Sequence, residues 1–399
     1  MASGSLPRTE HQAVPFYRNV KTLAVLAQIA FVILIGLLFW WLYSNMMTSL
    51  QRSRIPLGFG FLRQSAGFDI SEGVPFDPAN TMARAFLVGI VNTLRVAILG
   101  VVLATVLGGL LGIARLSSNW LLRMVAGTYV AIIRNTPLLV QLIFWYIAVI
   151  LKLPRVRDAV GVNGVVLMSN RGLAVAWLRA SESFGAFQIW LWLGVAALLG
   201  GYAARRWYLT RADRPGSAIP LALLASGLTV LLGVLVVSAT SGQSPLQIDQ
   251  PELTGFNYRG GATLTPEFFG LLLALTIYTA AFIAEIVRGG ILAVNKGQRE
   301  ASQALGLTAT QTLRLVIIPQ ALRVVVPPLT NQYLNLTKNS SLGIAIGFPD
   351  LFYVATTINN QSGAAVQVIA IIMVSYLSLS LLTSLVMNIY NARIRLVER

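Results

Sequence analysis

The chain contains no cysteine, which excludes disulfides, thiol catalysis and cysteine-ligated metals. It has one histidine, His11, in a polar N-terminal tail, so histidine metal sites and histidine triads are excluded as well. Charge is scarce: 11% of the 399 residues are charged, less than half the usual share of a soluble domain. Acids are scarcer still, 14 against 30 bases, which leaves a formal net charge of +16. There is no Walker A pattern, no dinucleotide fingerprint, no paired-carboxylate motif and no evident internal repeat. An ordinary soluble enzyme, a disulfide scaffold and a disordered chain are all excluded. What is abundant is apolar, at 56% hydrophobic residues and a mean hydropathy of +0.71. A core of this size could not hide that much apolar surface. The composition predicts an all-α polytopic membrane protein. The basic excess then reads first as the loop bias that sets orientation, not as nucleic-acid binding.

Eight apolar stretches lie between the charges, most near the ~20 residues a bilayer needs. They are spans 1 to 8, at about 24–44, 86–114, 124–151, 187–204, 218–238, 266–287, 313–336 and 364–389. Span 1 is too long and too aromatic for a signal peptide and reads as an uncleaved anchor. With the N-terminus in the cytoplasm, segments 1–23, 115–123, 205–217, 288–312 and 390–399 are internal, and they hold most of the net charge. That is the positive-inside arrangement. Arg95, Arg134, Arg323 and Glu285 remain as charges inside spans, Arg95 and Arg323 with no partner evident. Span 3 is interrupted at Arg134-Asn135-Thr136-Pro137, where Pro137 cannot donate to the Ile133 carbonyl and disfavours helix at Thr136. Gly108-x-x-x-Gly112 with Ala104 reads as close helix packing in span 2.

The segment after span 6 carries the most information. Gly297 and Gly306 bracket eight residues, Gln298-Arg299-Glu300-Ala301-Ser302-Gln303-Ala304-Leu305, about two helical turns. Ala301, Ala304 and Leu305 share a face. Gly306 ends the helix, and Thr308 with Gln311 can form a capping box that starts span 7. Such a helix either docks its small residues in a partner's groove or lies at the lipid headgroups.

Glu300-Ala301-Ser302…Gly306, followed after ten residues by Ile317-Ile318-Pro319, resembles the EAA loop of type I ABC importer permeases. Ser302 stands where the family usually has a second alanine. The stretches Ala284-Glu285-Ile-Val-Arg288-Gly289-Gly290, Arg134-Asn135-Thr136-Pro137-Leu-Leu-Val-Gln141 and Lys338-Asn339-Ser340-Ser341-Leu342 resemble the polar and general L-amino-acid branch in its long form. The resemblance implies a five-helix core from spans 2, 3, 6, 7 and 8. Residues 86–151 and 266–393 would form it, with the EAA coupling loop at 296–307, after a tail at 1–23 and an extra helix at 24–44. Residues 152–265 would be outer loops with two inserted helices. It implies a permease subunit of a binding-protein-dependent amino-acid importer in the bacterial inner membrane, both termini cytoplasmic. The implied partners are a second, non-identical permease, two ATP-binding subunits that carry ATP and Mg, and an external substrate-binding protein. No cofactor and no catalytic residue would belong to this chain.

Gly297, Gln298, Arg299, Glu300, Ala301, Ser302, Ala304 and Gly306 are the expected coupling residues. Arg134, Asn135, Thr136, Pro137, Gln141, Glu285, Arg288, Asn331, Gln332, Asn335, Ser340 and Ser341 are the candidates for a passage or gate. A zwitterionic substrate needs a cation for its carboxylate and an acid or free carbonyls for its ammonium. Arg134 could supply the first, or could simply tie loose carbonyls together. Glu285 and Arg288 are either an i,i+3 ion pair or part of an inner gate. Asn331 and Asn335 fall on one helix face. The alternative reading is a stand-alone, ion-coupled secondary transporter, against which the missing repeat counts. A membrane-embedded enzyme has no catalytic constellation to support it.

Overall fold

Apolar stretches become helices here, and the breaks fall where proline, glycine or charge makes helix costly. The computed structural model describes residues 20–52, 58–162, 164–213, 216–255 and 257–394. His11, Arg214 and most of the expected 1–23 tail lie outside the described residues. The helices are α1 (Val20–Arg52), α2 (Met82–Ala114), α3 (Trp120–Asn135), α4 (Leu138–Ile143), α5 (Phe184–Arg211) and α6 (Ile219–Ser241). After them come α7 (Pro266–Leu292), α8 (Lys296–Ala304), α9 (Ala309–Gln311), α10 (Ile318–Asn339), α11 (Leu351–Ser362) and α12 (Ala365–Ile394). Among the described residues, seven stretches are long and apolar enough to cross a membrane, and α3 with the leg 138–152 makes an eighth, bent by 107°. The eight expected spans are therefore present, but span 3 is an elbow. At 16 residues α3 is only about 24 Å long, short of a ~30 Å hydrocarbon core.

The centre of the molecule is the pair α2 and α7. A Cβ on Gly108 would lie 2.6 Å from Ile283 Cβ and 2.8 Å from the Ala280 carbonyl. One on Gly112 would lie 2.8 Å from the Ala284 carbonyl. The glycines let the two backbones approach, as the small-residue spacing predicts. Gly290 does the same between α7 and α10, where its missing Cβ admits Val325. Leu271, Leu275, Ile283, Leu336 and Phe348 fill the resulting core. By contrast, the apolar window of α1 has none of its residues buried within the chain.

Across the membrane the fold is all-α. The expected outer segments 152–186 and 239–265 also hold eight short antiparallel strands. They are β1 (Val160–Val162), β2 (Val166–Ser169), β3 (Gly172–Val175), β4 (Trp177–Ala180), β5 (Leu246–Asp249), β6 (Glu252–Thr254), β7 (Asn257–Arg259) and β8 (Ala262–Leu264). One sheet runs β1-β2-β3-β8, while β4 pairs with β5 and β6 with β7. The pairing is nested. Val175 on β3 faces Ala262 on β8, inside that Ala180 faces Leu246, and inside that α5 and α6 pack against each other. The insertion is an arm whose two ends meet in register on the sheet.

A self-contained arm can be cut off where its ends pair. Replacing residues 176–261 by Asn-Gly joins Val175 to Ala262 as a two-residue hairpin. The shortened chain should keep a single gel-filtration peak and its thermal midpoint within a few degrees. Aggregation or a much lower midpoint would show that the core needs the arm.

Candidate functional site

The elbow in span 3 exposes backbone that a membrane cannot hydrate. Thr136 is extended (φ −106°, ψ 128°), and Pro137 brings no N–H. Gln141 repairs the break: its Nε2 donates to the carbonyls of Ile133 and Thr136, at 2.9 Å each. The Ile133 carbonyl is the one that Pro137 orphans. Gln141 is buried and clamps the elbow, its Oε1 with no hydrogen-bond partner among the described residues. Tying loose carbonyls thus falls to Gln141 and not to Arg134. Thr136 Oγ1 donates back to Ile132, while Arg134 and Asn135 stay exposed at the end of α3.

Arg134 points to a charge cluster where α2, α3 and α7 end together. Glu285 Oε1 accepts from Arg288 Nε at 3.1 Å and Nη2 at 2.7 Å, the expected i,i+3 pair. Glu285 Oε2 takes Arg115 Nη1 in an ion pair, and Arg134 Nη1 stands 4.0 Å from the same oxygen. The Arg134 guanidinium also lies 5.2 Å above the centre of the Phe282 ring. Three guanidiniums therefore share one carboxylate, and the cluster keeps a net positive charge. Arg115, Arg134, Asn135, Phe282 and Glu285 line a recess of about 410 Å³. Arg115 is the member the sequence reading placed in a loop. No local signal in the sequence points to it; in the fold Gly112 sits on Ala284, so Arg115, one turn further, reaches Glu285.

At the same end of the molecule lies α8. Asn295 caps its start, accepting from Gly297 N at 2.8 Å. Gly306, at φ +76°, ends it in a Schellman pattern, with Gly306 N donating to Gln303 O and Leu307 N to Ser302 O. The Thr308–Gln311 capping box opens the next helix as expected. Ser302 is buried, and its hydroxyl lies 3.0 Å from that of Thr312, so the departure from alanine pins α8 to the start of span 7. Gln320 Nε2 adds a bond to Gln298 Oε1 at 3.3 Å. Gly297, Arg299, Glu300, Ala301, Ala304 and Leu305 are all left exposed.

In α10, Asn331 and Asn335 are exposed on one face with Lys338, and Gln332 is half-buried. Ser340 is buried and Ser341 half-buried. Their hydroxyls donate to the Thr337 and Lys338 carbonyls, at 2.8 Å each, and close the helix end. Arg323 Nε is buried with no hydrogen-bond partner among the described residues. Arg95 does have one. At the end of the molecule opposite α8 it pairs with Glu72 at 2.9 Å, and Thr265 Oγ1 donates to the other Glu72 oxygen at 2.7 Å. Asn92 Nδ2 bonds the Glu72 and Pro349 carbonyls, so segment 58–81 is clipped to α2, α7 and the turn before α11. In that turn, outside the spanning helices, burial pushes the Asp350 carboxyl up to about 6, opposed by hydrogen bonds from Tyr353 N–H and Tyr376 O–H.

Residues 214–396 match the family of binding-protein-dependent transport system inner membrane components. Over 370 residues the chain is 47% identical to the general L-amino acid transport system permease protein AapQ of Rhizobium johnstonii, covering 92% of this chain and 91% of that one. The chain belongs to this family. As a permease component of a binding-protein-dependent system, it is not a stand-alone secondary transporter. This permease is also 45% identical over 377 residues to the putative amino-acid ABC transporter permease protein YhdX of Escherichia coli, covering 94% of each chain. It is 36% identical over 385 residues to the glutamate/glutamine/aspartate/asparagine transport system permease protein BztB of Rhodobacter capsulatus, covering 90% of each.

Gln141→Leu keeps the bulk of the clamp and removes its donor. The Thr136 carbonyl loses its donor and the Ile133 carbonyl keeps only the long 3.4 Å bond from Thr136 N, so the permease should lose about 1–3 kcal/mol of stability, read as a lower thermal midpoint in detergent. An unchanged midpoint would show that the elbow does not rely on Gln141.

Proposed function

We propose that this permease forms, with a second and non-identical permease, the passage of an ATP-driven importer of L-amino acids. The observation that carries the reading is α8. It is held at both ends by the chain yet exposes Glu300, Ala301, Ala304 and Leu305, which suits a helix that inserts into a partner. Two separate ATP-binding subunits would receive it, and they would carry the ATP and Mg. An external binding protein would deliver substrate at the opposite end. Near full-length similarity to AapQ, YhdX and BztB, all named as amino-acid permeases, supports the substrate class. The basic excess on the α8 side supports a cytoplasmic α8 and cytoplasmic termini.

The charge cluster suits the chemistry of the cargo. An amino acid carries a carboxylate, and the recess beside Arg134 offers a guanidinium that Glu285 only partly neutralises. Arg134 has the most exposed side chain of the four charged groups, at 42%. It can turn to a passing carboxylate while Arg115 and Arg288 keep hold of Glu285. Asn331 and Asn335 supply uncharged hydrogen-bonding groups along the same chain's α10, where a polar cargo would otherwise meet apolar helix.

Two variants test this. Glu300→Lys reverses a charge on the exposed face of α8 without touching its anchors. Uptake and substrate-stimulated ATPase activity of the assembled complex should fall by about tenfold or more, equivalent to ~1.4 kcal/mol of coupling. Wild-type values would sink the docking role. Arg134→Ala should lower uptake at subsaturating substrate, at equal expression, and leave basal ATPase activity in place. Unchanged uptake would remove Arg134 from the passage.

A further inference from the structure

The arm has chemistry at its far end that transport does not use. Its helices pack on each other, while Ile189, Trp192, Leu199, Leu224, Leu228 and Leu235 stay exposed, as on a hairpin bathed in lipid. The end of α5 and the start of α6 lie together at the end opposite the β4–β5 ribbon. There a recess of about 550 Å³ is lined by Tyr202, Arg206, Thr210, Asp213, Ser217 and the first residue of α6. Arg205, Arg206 and Arg211 bring three positive charges against the single acid Asp213. Among the described residues none of the three arginines is in an ion pair. Two of them are held by aromatic rings instead. The Arg211 guanidinium lies 5.0 Å from the Trp207 ring centre, and that of Arg205 lies 5.5 Å from Tyr208. At the start of α6 the Ser217 hydroxyl accepts from Ile219 N at 3.3 Å.

Loop arginines that only set orientation need neither a recess nor stacking partners. Here Arg206 lines the recess, and Arg205 and Arg211 have ring partners, at the level where a spanning hairpin meets the headgroups. Trp and Tyr prefer that level, and each arginine near an anionic surface adds attraction. We propose that the α5–α6 turn is a binding site for the phosphate of an anionic phospholipid. Arg206 holds the phosphate in the recess, the stacked Arg205 and Arg211 add charge around it, and Trp207 and Tyr208 seat the turn at the bilayer interface. The inference stands apart from the transport reading, since neither the coupling helix nor the charge cluster enters it.

The test uses the full complex in detergent and native mass spectrometry. Phosphatidylglycerol and phosphatidylcholine of identical chains are added in equal amounts. The wild-type complex should retain the glycerol lipid over the choline lipid by about tenfold. With Arg206→Gln and Arg211→Gln together, the two lipids should be retained about equally. Millimolar inorganic phosphate should not displace the lipid. An undiminished preference in the double variant overturns the proposal. So does displacement by phosphate, which would make the ligand a free anion. Hydrogen exchange of the wild-type complex in nanodiscs does not depend on the variant folding. Residues 202–219 should exchange more slowly in phosphatidylglycerol than in phosphatidylcholine, and equal rates would overturn the assignment.

Discussion

A polypeptide inside hydrocarbon has no water to fall back on, so every break in a helix must be repaired by protein. The elbow at Thr136 and Pro137 turns the chain through 107° at the cost of loose carbonyls, and Gln141 takes them up. That repair fixes where α3 stops. Because α3 stops there, Arg134 lies at its tip beside Glu285 rather than buried along a continuous span. The recess, the exposed guanidinium and the orientation of the following leg all descend from one buried amide.

Scarcity of acid gives the remaining acids unusual reach. Glu285 gathers arginines from three helices at one end of the core, and Glu72 gathers Arg95 and the cap of α7 at the other. Each carboxylate ties together elements that are distant in the sequence, Glu285 to Arg115 and Arg134, Glu72 to Thr265. Between them the interior relies on glycine and small residues, with α2 and α7 separated by little more than backbone at Gly108 and Gly112. The core is apolar and tightly packed in its middle and electrostatically fastened at its ends.

What could be read in advance was local. The spans, the break at Pro137, the Gly306 stop and the Thr308–Gln311 capping box depend on residues within a few positions of one another, and each is present. Ser302 was legible as a departure, though not its reason, which needs Thr312 ten residues away. Arg115 and Glu72 were not legible as partners of Glu285 and Arg95, because 170 and 23 residues separate those pairs. The strands escaped because each is only three or four residues long, too short for an alternation to stand out in the sequence. The bonds of Ser340 and Ser341 to the Thr337 and Lys338 carbonyls were not legible, because the turn that makes them is a matter of geometry.

The nested arm has a consequence for inheritance. Orientation in a membrane alternates with each crossing, so an inserted piece with an odd number of crossings would turn everything after it upside down. The arm crosses twice, and its ends leave and rejoin the sheet at neighbouring residues. A lineage could therefore gain or lose it in a single genetic event, with α7 to α12 keeping both their direction and their place.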